Sequence, residues 1–163
     1  MSTRDLIRAA SSSDDVERAR ELFVEYAAWL DVDLCFQNFE QELATLPGAY
    51  APPRGRLLLA GPIEHPVGCV ALRPLPGSSD ERVVAEMKRL YVRPAGRGAG
   101  VGRALVEALI DEARSIGYRE IKLDTLPQMA SARLLYDALG FRACEAYYRN
   151  PLKGTVYMSL ALG

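Results

Sequence analysis

The segment Leu90-Tyr91-Val92-Arg93-Pro94-Ala95-Gly96-Arg97-Gly98-Ala99-Gly100-Val101-Gly102-Arg103-Ala104-Leu105 passes from an apolar run through a glycine-rich loop into a new periodicity. Upstream, Ala85 to Val92 reads as a strand. Downstream, Val101, Leu105, Leu109, Ala113 and Ile116 are spaced by four, four, four and three, which predicts a helix beginning directly at the loop and capped at Gly117. Backbone N–H groups at a helix start are unpaired and carry about half a positive charge, so such a junction attracts phosphate. Glycines let the main chain approach the anion with no Cβ in the way. A dinucleotide fingerprint needs glycines at relative positions one, three and six. Counting from Gly96, Gly98 or Gly100, the sixth position is Val101, Arg103 or Leu105, so that pattern fails. A Walker loop fails too, because no Gly-Lys is followed by Ser or Thr.

Toward the N-terminus, Arg56 to Ala60 and Val67 to Leu72 read as a hairpin around the breaker-rich Gly61-Pro62-Ile63-Glu64-His65-Pro66. Ser11 to Asp15 is rich in N-cap residues, and Val16, Ala19, Leu22, Phe23, Tyr26, Ala27 and Leu30 form one helical face after it. Phe39 to Leu46 predicts a shorter helix ending at Pro47-Gly48, and Leu6 to Ala9 a first strand. Toward the C-terminus, Ile121 to Thr125 predicts a strand, Met129 to Leu139 a helix closed by Gly140, Arg142 to Tyr147 a strand, and Thr155 to Leu162 the last strand. A strand–loop–helix–strand–helix–strand order implies a parallel crossover and an α/β class. With no repeat or linker, residues 1–163 are expected to form one domain.

Among 163 residues the charges nearly cancel at −1, which argues against a nucleic-acid binder and gives no reason for a membrane partner. The longest apolar run, Leu57-Leu58-Leu59-Ala60, is too short to cross a bilayer, and Met1-Ser2-Thr3-Arg4-Asp5 lacks a signal-peptide core, so a soluble cytoplasmic protein is expected. Cys35, Cys69 and Cys144 are widely separated and suggest neither a disulfide framework nor a Cys-x-x-Cys metal site. The single histidine, His65, reads as a solvated turn residue, which leaves no His-rich metal site and no Ser-His or Cys-His nucleophile; no metal is expected. Cys144 reads as an ordinary buried thiol.

The loop resembles the Q/R-x-x-G-x-G/A acyl-CoA signature of the GNAT N-acetyltransferase superfamily, with Arg97, Gly100 and Gly102 at the fixed positions. Ala132-Arg133-Leu134-Leu135-Tyr136 followed by Leu139-Gly140-Phe141 is similar to a second motif of the family, A-x-x-L-Y-x-x-x-G-F, in the right order and spacing. The resemblance covers about residues 85 to 162. It implies the GNAT fold: a mixed central sheet of about seven strands, the fourth and fifth splayed apart, with about four helices. It also implies that pantetheine of acetyl-CoA pairs with the main chain near Leu90, Tyr91 and Val92. Pyrophosphate would be held by the N–H groups of the loop, with Arg97, Gly98, Ala99, Gly100, Val101, Gly102 and Arg103 as cofactor-binding residues. Many relatives carry Asn seven residues before the motif tyrosine. Here the residue is Met129, so no cofactor contact is expected from that position.

An alkylamine is protonated at neutral pH, and freeing its lone pair costs roughly 4–5 kcal/mol. By its distance from Gly100, Glu86 coincides with a glutamate that acts as base in histone-type relatives; the alternative is a strand carboxylate paired with Lys88 or Arg89. By position in the second motif, Tyr136 is expected to donate to the departing CoA thiolate, although Ala132, Leu135, Tyr136 and Leu139 also form one core-like helical face. No residue resembles an acyl-accepting nucleophile, so direct attack of the amine on the thioester is the simpler scheme.

In the family the acceptor site is usually built by the segment between the first two helices and the loop before the last strand. Here these are Asp31 to Asn38 and Tyr147-Tyr148-Arg149-Asn150-Pro151. Asp31 and Asp33 offer partners for an ammonium group, and Arg149, with Asn150 beside it, for a carboxylate. The leading expectation is acetylation of a small amine or amino acid. A protein lysine or N-terminal acetyltransferase and a non-catalytic acyl-CoA sensor are the alternatives, and a homodimer is compatible with each.

Overall fold

A computed structural model describes residues 2–34, 37–78 and 83–163. In chain order the elements are β1 (Ile7–Ala9), α1 (Ser13–Leu30), α2 (Phe39–Thr45), β2 (Arg56–Ala60), β3 (Gly68–Pro74), β4 (Val84–Val92), α3 (Val101–Ile116), β5 (Glu120–Thr125), α4 (Ala130–Ala138), β6 (Arg142–Cys144) and β7 (Val156–Ala161). The seven strands form one mixed sheet ordered β1-β2-β3-β4-β5-β7-β6, in which only β4 and β5 run parallel. Short 3-10 turns at Thr3–Leu6, Gly48–Tyr50 and Pro94–Gly96 were not expected from periodicity.

Helix α1 starts where Ser12 accepts the Asp15 N–H at 3.1 Å, and stops where Asp31 turns left-handed. Its buried residues include Ala19, Leu22, Phe23, Tyr26 and Leu30, close to the face read from the sequence. They meet Leu57, Leu59, Cys69 and Ala71 on one side of the sheet. The alternate residues Leu58, Ala60, Val70 and Leu72 meet α3 on the other side. Leu105 and Leu109 of α3 are fully buried there, each contributing about 1.5–3 kcal/mol.

Two irregularities of β4 position the site. Opposite Cys69 to Ala71, β4 carries one extra residue, and Arg89 sits at φ +64° within that bulge. Before it, Ala85 and Met87 face α3; after it, Leu90 and Val92 do, so the parity of the strand is reversed. The second irregularity is a split. β4 pairs with β5 only at Val84, Ala85 and Glu86, opposite Glu120, Ile121 and Lys122, although both strands continue beyond. This is the expected splay.

Strand β6 ends at Cys144 rather than Tyr147. The next residues leave the sheet so that Tyr147 and Tyr148 reach carboxylates on β4 and β5. Cys144 is half-buried, not buried as expected, and its thiol is pushed up by burial. His65 is exposed in the β2–β3 connection. Cys35 lies outside the described residues.

Candidate active site

The loop between β4 and α3 opens onto a cleft of about 390 Å³. Gly98 (φ +84°) and Gly100 (φ +78°) hold left-handed conformations that other residues rarely adopt, and a Cβ on either would point into open space. Glycine is therefore required by the backbone turn. Gly100 is the N-cap of α3 and supplies no side-chain cap, which leaves the first-turn N–H groups facing the cleft without a side-chain acceptor. The Arg97 guanidinium donates to the Val92 carbonyl at 2.9 Å and lies over the Trp29 ring at 5.4 Å. A cation, open glycines and an uncapped helix start suit a pyrophosphate, and the lining by Leu90, Tyr91, Val92, Val101 and Leu135 suits a pantetheine arm.

Of the residues expected here, Leu90, Tyr91, Val92, Arg97, Gly98, Gly100, Val101 and Gly102 line the cleft. Ala99 and Arg103 do not. The Ala99 carbonyl turns toward Thr3, whose hydroxyl donates to it at 3.3 Å. Arg103 is exposed and points along α3 to Glu107 at 3.4 Å. Met129, set aside on the sequence for lacking a polar group, does line the cleft, through an apolar side chain.

The cleft continues into the split between β4 and β5, where Met87, Lys88, Leu90, Leu123, Asp124, Met129 and Tyr136 surround a narrow cavity. Tyr136 is buried, stands 5.6 Å from the Phe141 ring, and has its phenol pushed up by burial, so it remains a proton donor. It is packed in the core and also lines this cavity.

On the far side of Lys88 lies a pocket of about 270 Å³ lined by Gln37, Arg73, Glu86, Lys88, Tyr147 and Tyr148, with Leu75 and Pro76 as its apolar wall. Glu86 is 2% exposed. Its Oε1 accepts Arg73 Nε at 3.0 Å and Nη2 at 2.8 Å, and its Oε2 accepts the Tyr147 hydroxyl at 2.7 Å. The partner of Glu86 is thus Arg73, which faces it across β3 and β4, and not Lys88 or Arg89.

Because of the bulge, Lys88 and Arg89 both point to the α1–α2 face. Arg89 donates Nε and Nη2 to the two oxygens of Glu42 at 2.9 Å each and Nη1 to Gln37 at 2.8 Å. Lys88 Nζ donates to the same Gln37 oxygen at 2.9 Å. Burial, with the neighbouring Arg89 charge, lowers the Lys88 ammonium to about 8. From Gln37 the chain of contacts passes through the Tyr148 hydroxyl to Asp124, which also accepts from Asn150 at 2.9 Å.

The acceptor residues expected from the sequence are only partly gathered here. Asn150 lines the cavity at the split, but its amide is committed to Asp124 and Tyr148. Asp31 and Asp33 are exposed and Arg149 is exposed, and none of the three lines either cavity. Asp31 is instead the left-handed cap of α1. The charged residues that do line the pocket are Arg73, Glu86 and Lys88. Glu86 and Lys88 were readable as charged residues in a strand that is otherwise apolar; Arg73 lies one residue beyond the strand expected over Val67 to Leu72, and only the pairing of β3 with β4 sets it opposite Glu86. Among the described residues no group of three or more His, Cys, Asp or Glu side chains is gathered to hold a metal.

A glycine-rich, uncapped helix start beside a split parallel strand pair, with a side pocket beyond it, is suited to an acyl-CoA-dependent transferase. The family model for the Acetyltransferase (GNAT) family matches residues 16–141. An uncharacterised N-acetyltransferase of Schizosaccharomyces pombe is 40% identical over 158 residues, 96% of this chain and 94% of its own. The aminoglycoside N(6')-acetyltransferase type 1 of Stenotrophomonas maltophilia is 28% identical over 152 residues, 90% of this chain and 94% of its own. A Salmonella typhimurium protein solved with its cofactor acetyl-CoA superposes with a TM-score of 0.68 at 23% identity, over 96% of this chain and 93% of that one. The chain belongs to the GNAT acetyltransferase family and is an acetyl-CoA-dependent N-acetyltransferase. No helix is long and apolar enough to cross a membrane among the described residues.

Proposed function

We propose that the acceptor is a small amine or amino acid bound between Arg73, Glu86 and Lys88. The observation that carries this reading is the 270 Å³ pocket on the far side of Lys88 from the thioester cavity. That volume lies near the lower end of ordinary ligand pockets, so it suits a molecule of amino-acid size better than a peptide strand. Bound acetyl-CoA supplies a thioester carbonyl for direct attack by the amine nitrogen. Deprotonation is aided by the surroundings. The burial and the Arg89 charge that bring Lys88 to about 8 also act on an acceptor ammonium placed beside it. At neutral pH this lowers the roughly 4–5 kcal/mol cost of freeing the amine. Water at Glu86 or at the Tyr148–Asp124 pair receives the proton, and Tyr136 donates toward the leaving thiolate.

The aminoglycoside acetyltransferase relative suggests a polyamine acceptor. The pocket argues otherwise, because its carboxylate Glu86 is already bound by Arg73, and Lys88 and Arg73 repel a polycation. Thiol release from acetyl-CoA over a matched panel of amino acids, simple amines, aminoglycosides and lysine peptides tests the reading. Amino acids should show the highest kcat/KM; a clear preference for lysine peptides or aminoglycosides defeats it.

A further inference from the structure

Of the chain's three lysines, Lys88, Lys122 and Lys153, only Lys88 lines the cavity at the split and the pocket beyond it. Gln37 lines the same two spaces, and its side-chain oxygen holds the Lys88 Nζ at 2.9 Å. The amine therefore stands at the boundary between the place of the thioester and the place of the acceptor. Its surroundings offer it no carboxylate. Glu86, two residues back on β4, is taken by Arg73 of β3 and by Tyr147. Glu42 of α2 is taken by Arg89, and Asp124 of β5 accepts from Tyr148 and Asn150. Tyr26 of α1 and Tyr136 of α4 line the same cavity, and burial keeps both phenols neutral. Among the described residues Nζ thus has one hydrogen bond, to a neutral amide that Arg89 shares. Burial and then the Arg89 charge bring the ammonium down to about 8. A lysine that is desolvated beside another cation and sheds its proton readily is a nucleophile.

We propose that Lys88 is a self-acetylation site: with acetyl-CoA bound in the cleft, its Nζ takes the acetyl group. The neutral amine attacks the thioester carbonyl carbon. A C–N bond forms, the C–S bond breaks, and the proton lost by nitrogen passes to the departing thiolate, which leaves as CoA thiol. The product is an Nε-acetyl-lysine. An amide does not readily hand its acyl group to another amine, so this is a side branch of the reaction and not a covalent intermediate in it. It replaces a cation by a larger, neutral group between the cavity at the split and the acceptor pocket. The chain thereby obstructs its own acceptor site when acetyl-CoA is bound and left unused. The inference needs only acetyl-CoA at the split, so it stands whether the acceptor is a small amine or a peptide.

Incubation of the purified protein with acetyl-CoA and no acceptor, followed by peptide mapping in a mass spectrometer, tests the site. One acetyl group per chain is expected, on Lys88, well ahead of the half-buried Lys122 and the exposed Lys153. The Lys88 rate should rise about fivefold from pH 7 to 8 and level off by about pH 9, where its amine is already neutral. The rate at Lys153, an ordinary exposed lysine, should keep climbing to about pH 10. Excess free CoA should suppress the label at Lys88 and leave Lys153 unchanged, because only Lys88 depends on an occupied cleft. Lys88→Arg keeps the positive charge and should yield a chain without the fast label. No acetyl group on Lys88 after prolonged incubation overturns the proposal. So does a Lys88 label that forms no faster than that on Lys153 and ignores free CoA, since that is chemical acetylation from solution.

Discussion

The Glu86 carboxylate accepts three hydrogen bonds, two from Arg73 and one from Tyr147, so it has little capacity left for an ammonium proton. Glu86→Gln keeps the shape but leaves Arg73 without its counter-charge and puts an amide N–H where an acceptor is needed. A loss of about 1.5–3 kcal/mol is expected by urea denaturation, the cost of a hydrogen bond to a charged group. Arg73 is a quarter exposed, which keeps the figure below that of a fully buried pair. If Glu86 also relays the proton, the acidic limb of the pH–rate profile disappears in the same variant; if the limb survives, the role belongs to water alone. Tyr136→Phe separates the two roles of that residue. Packing against Phe141 is kept, and the hydroxyl is lost, so kcat should fall on the order of 10²-fold. Cofactor affinity should hold. The chain has one tryptophan, Trp29, and it lines the cleft, so its fluorescence can report the CoA titration directly. A kcat within twofold of wild type would reduce Tyr136 to a core residue.

Helix α2 depends on β4 through Arg89. The helix has seven residues, none of them fully buried, with Phe39 and Leu43 packed against the edge of the core and the Leu43 carbonyl accepting from Arg20 at 2.9 Å. Its buried polar anchor is the Glu42–Arg89 pair, both hydrogen bonds at 2.9 Å, with Phe39 under the guanidinium at 5.1 Å. Arg89 can face α2 only because the bulge turns it to φ +64°, a conformation that costs about 1–3 kcal/mol and that these contacts offset. Glu42→Gln should therefore cost about 3–5 kcal/mol, since it leaves a buried guanidinium without its charge partner. Acceptor KM should rise with it, because Gln37 and Asn38 lead into this helix, while Trp29-detected CoA binding stays put. A loss below 1 kcal/mol would mean that α2 is held by other contacts. This element also marks the limit of what the sequence could tell. The loop, α3 and α4 were legible because a 3.6-residue period, or a glycine at a fixed place, is a local signal. The bulge is not local: it arises from pairing with β3, and only the alternation change from Ala85 and Met87 to Leu90 and Val92 betrays it in the chain. The cavities are lined by other residues than Asp31, Asp33 and Arg149 for the same reason. Those three lie in the segments expected from the sequence, but which residue of a loop turns inward is decided by packing. Arg73, Glu86 and Lys88, on strands, were the ones held facing the pocket.

At the scale of the whole molecule the net charge is only −1, yet ionisable groups are buried around the pocket of Arg73, Glu86 and Lys88, and this sets how stability follows pH. On the acid side, Glu25 is held low by its bonds to Arg93. Burial opposes ionisation of Asp15, but the Ser11 N–H and Arg8 outweigh it and hold it low too. Their contribution is present above the ordinary carboxylate range and is lost as pH falls through their folded values. Lys88 acts in the opposite sense. Burial brings it to about 8, whereas in the unfolded chain it titrates near 10.4. Below pH 8 it is charged in both states, and folding carries the full penalty of a buried ammonium. Between about 8 and 10 the folded protein releases that proton and the unfolded chain keeps it, so stability rises with pH, by on the order of 2–3 kcal/mol. Buried Cys69, its thiol pushed up by desolvation, works against that rise from about 8.5, where the unfolded thiol ionises, and above about 10 the tyrosines reverse the trend outright. Burial pushes Tyr26 up to about 12 and holds Tyr50, Tyr136, Tyr147 and Tyr148 higher still, so the unfolded chain ionises where the folded one does not. Urea midpoints measured from pH 6 to 11 should therefore pass through a shallow maximum near 9 and then fall steeply. Lys88→Met removes the ammonium but keeps the length of the side chain, and should raise stability at pH 7 and abolish the climb toward pH 9 while leaving the alkaline fall in place. A wild-type curve that is flat or falling from pH 7.5 to 9.5, with Lys88→Met parallel to it, would show that Lys88 keeps an ordinary ammonium. The environment proposed to release the acceptor amine would then be absent as well.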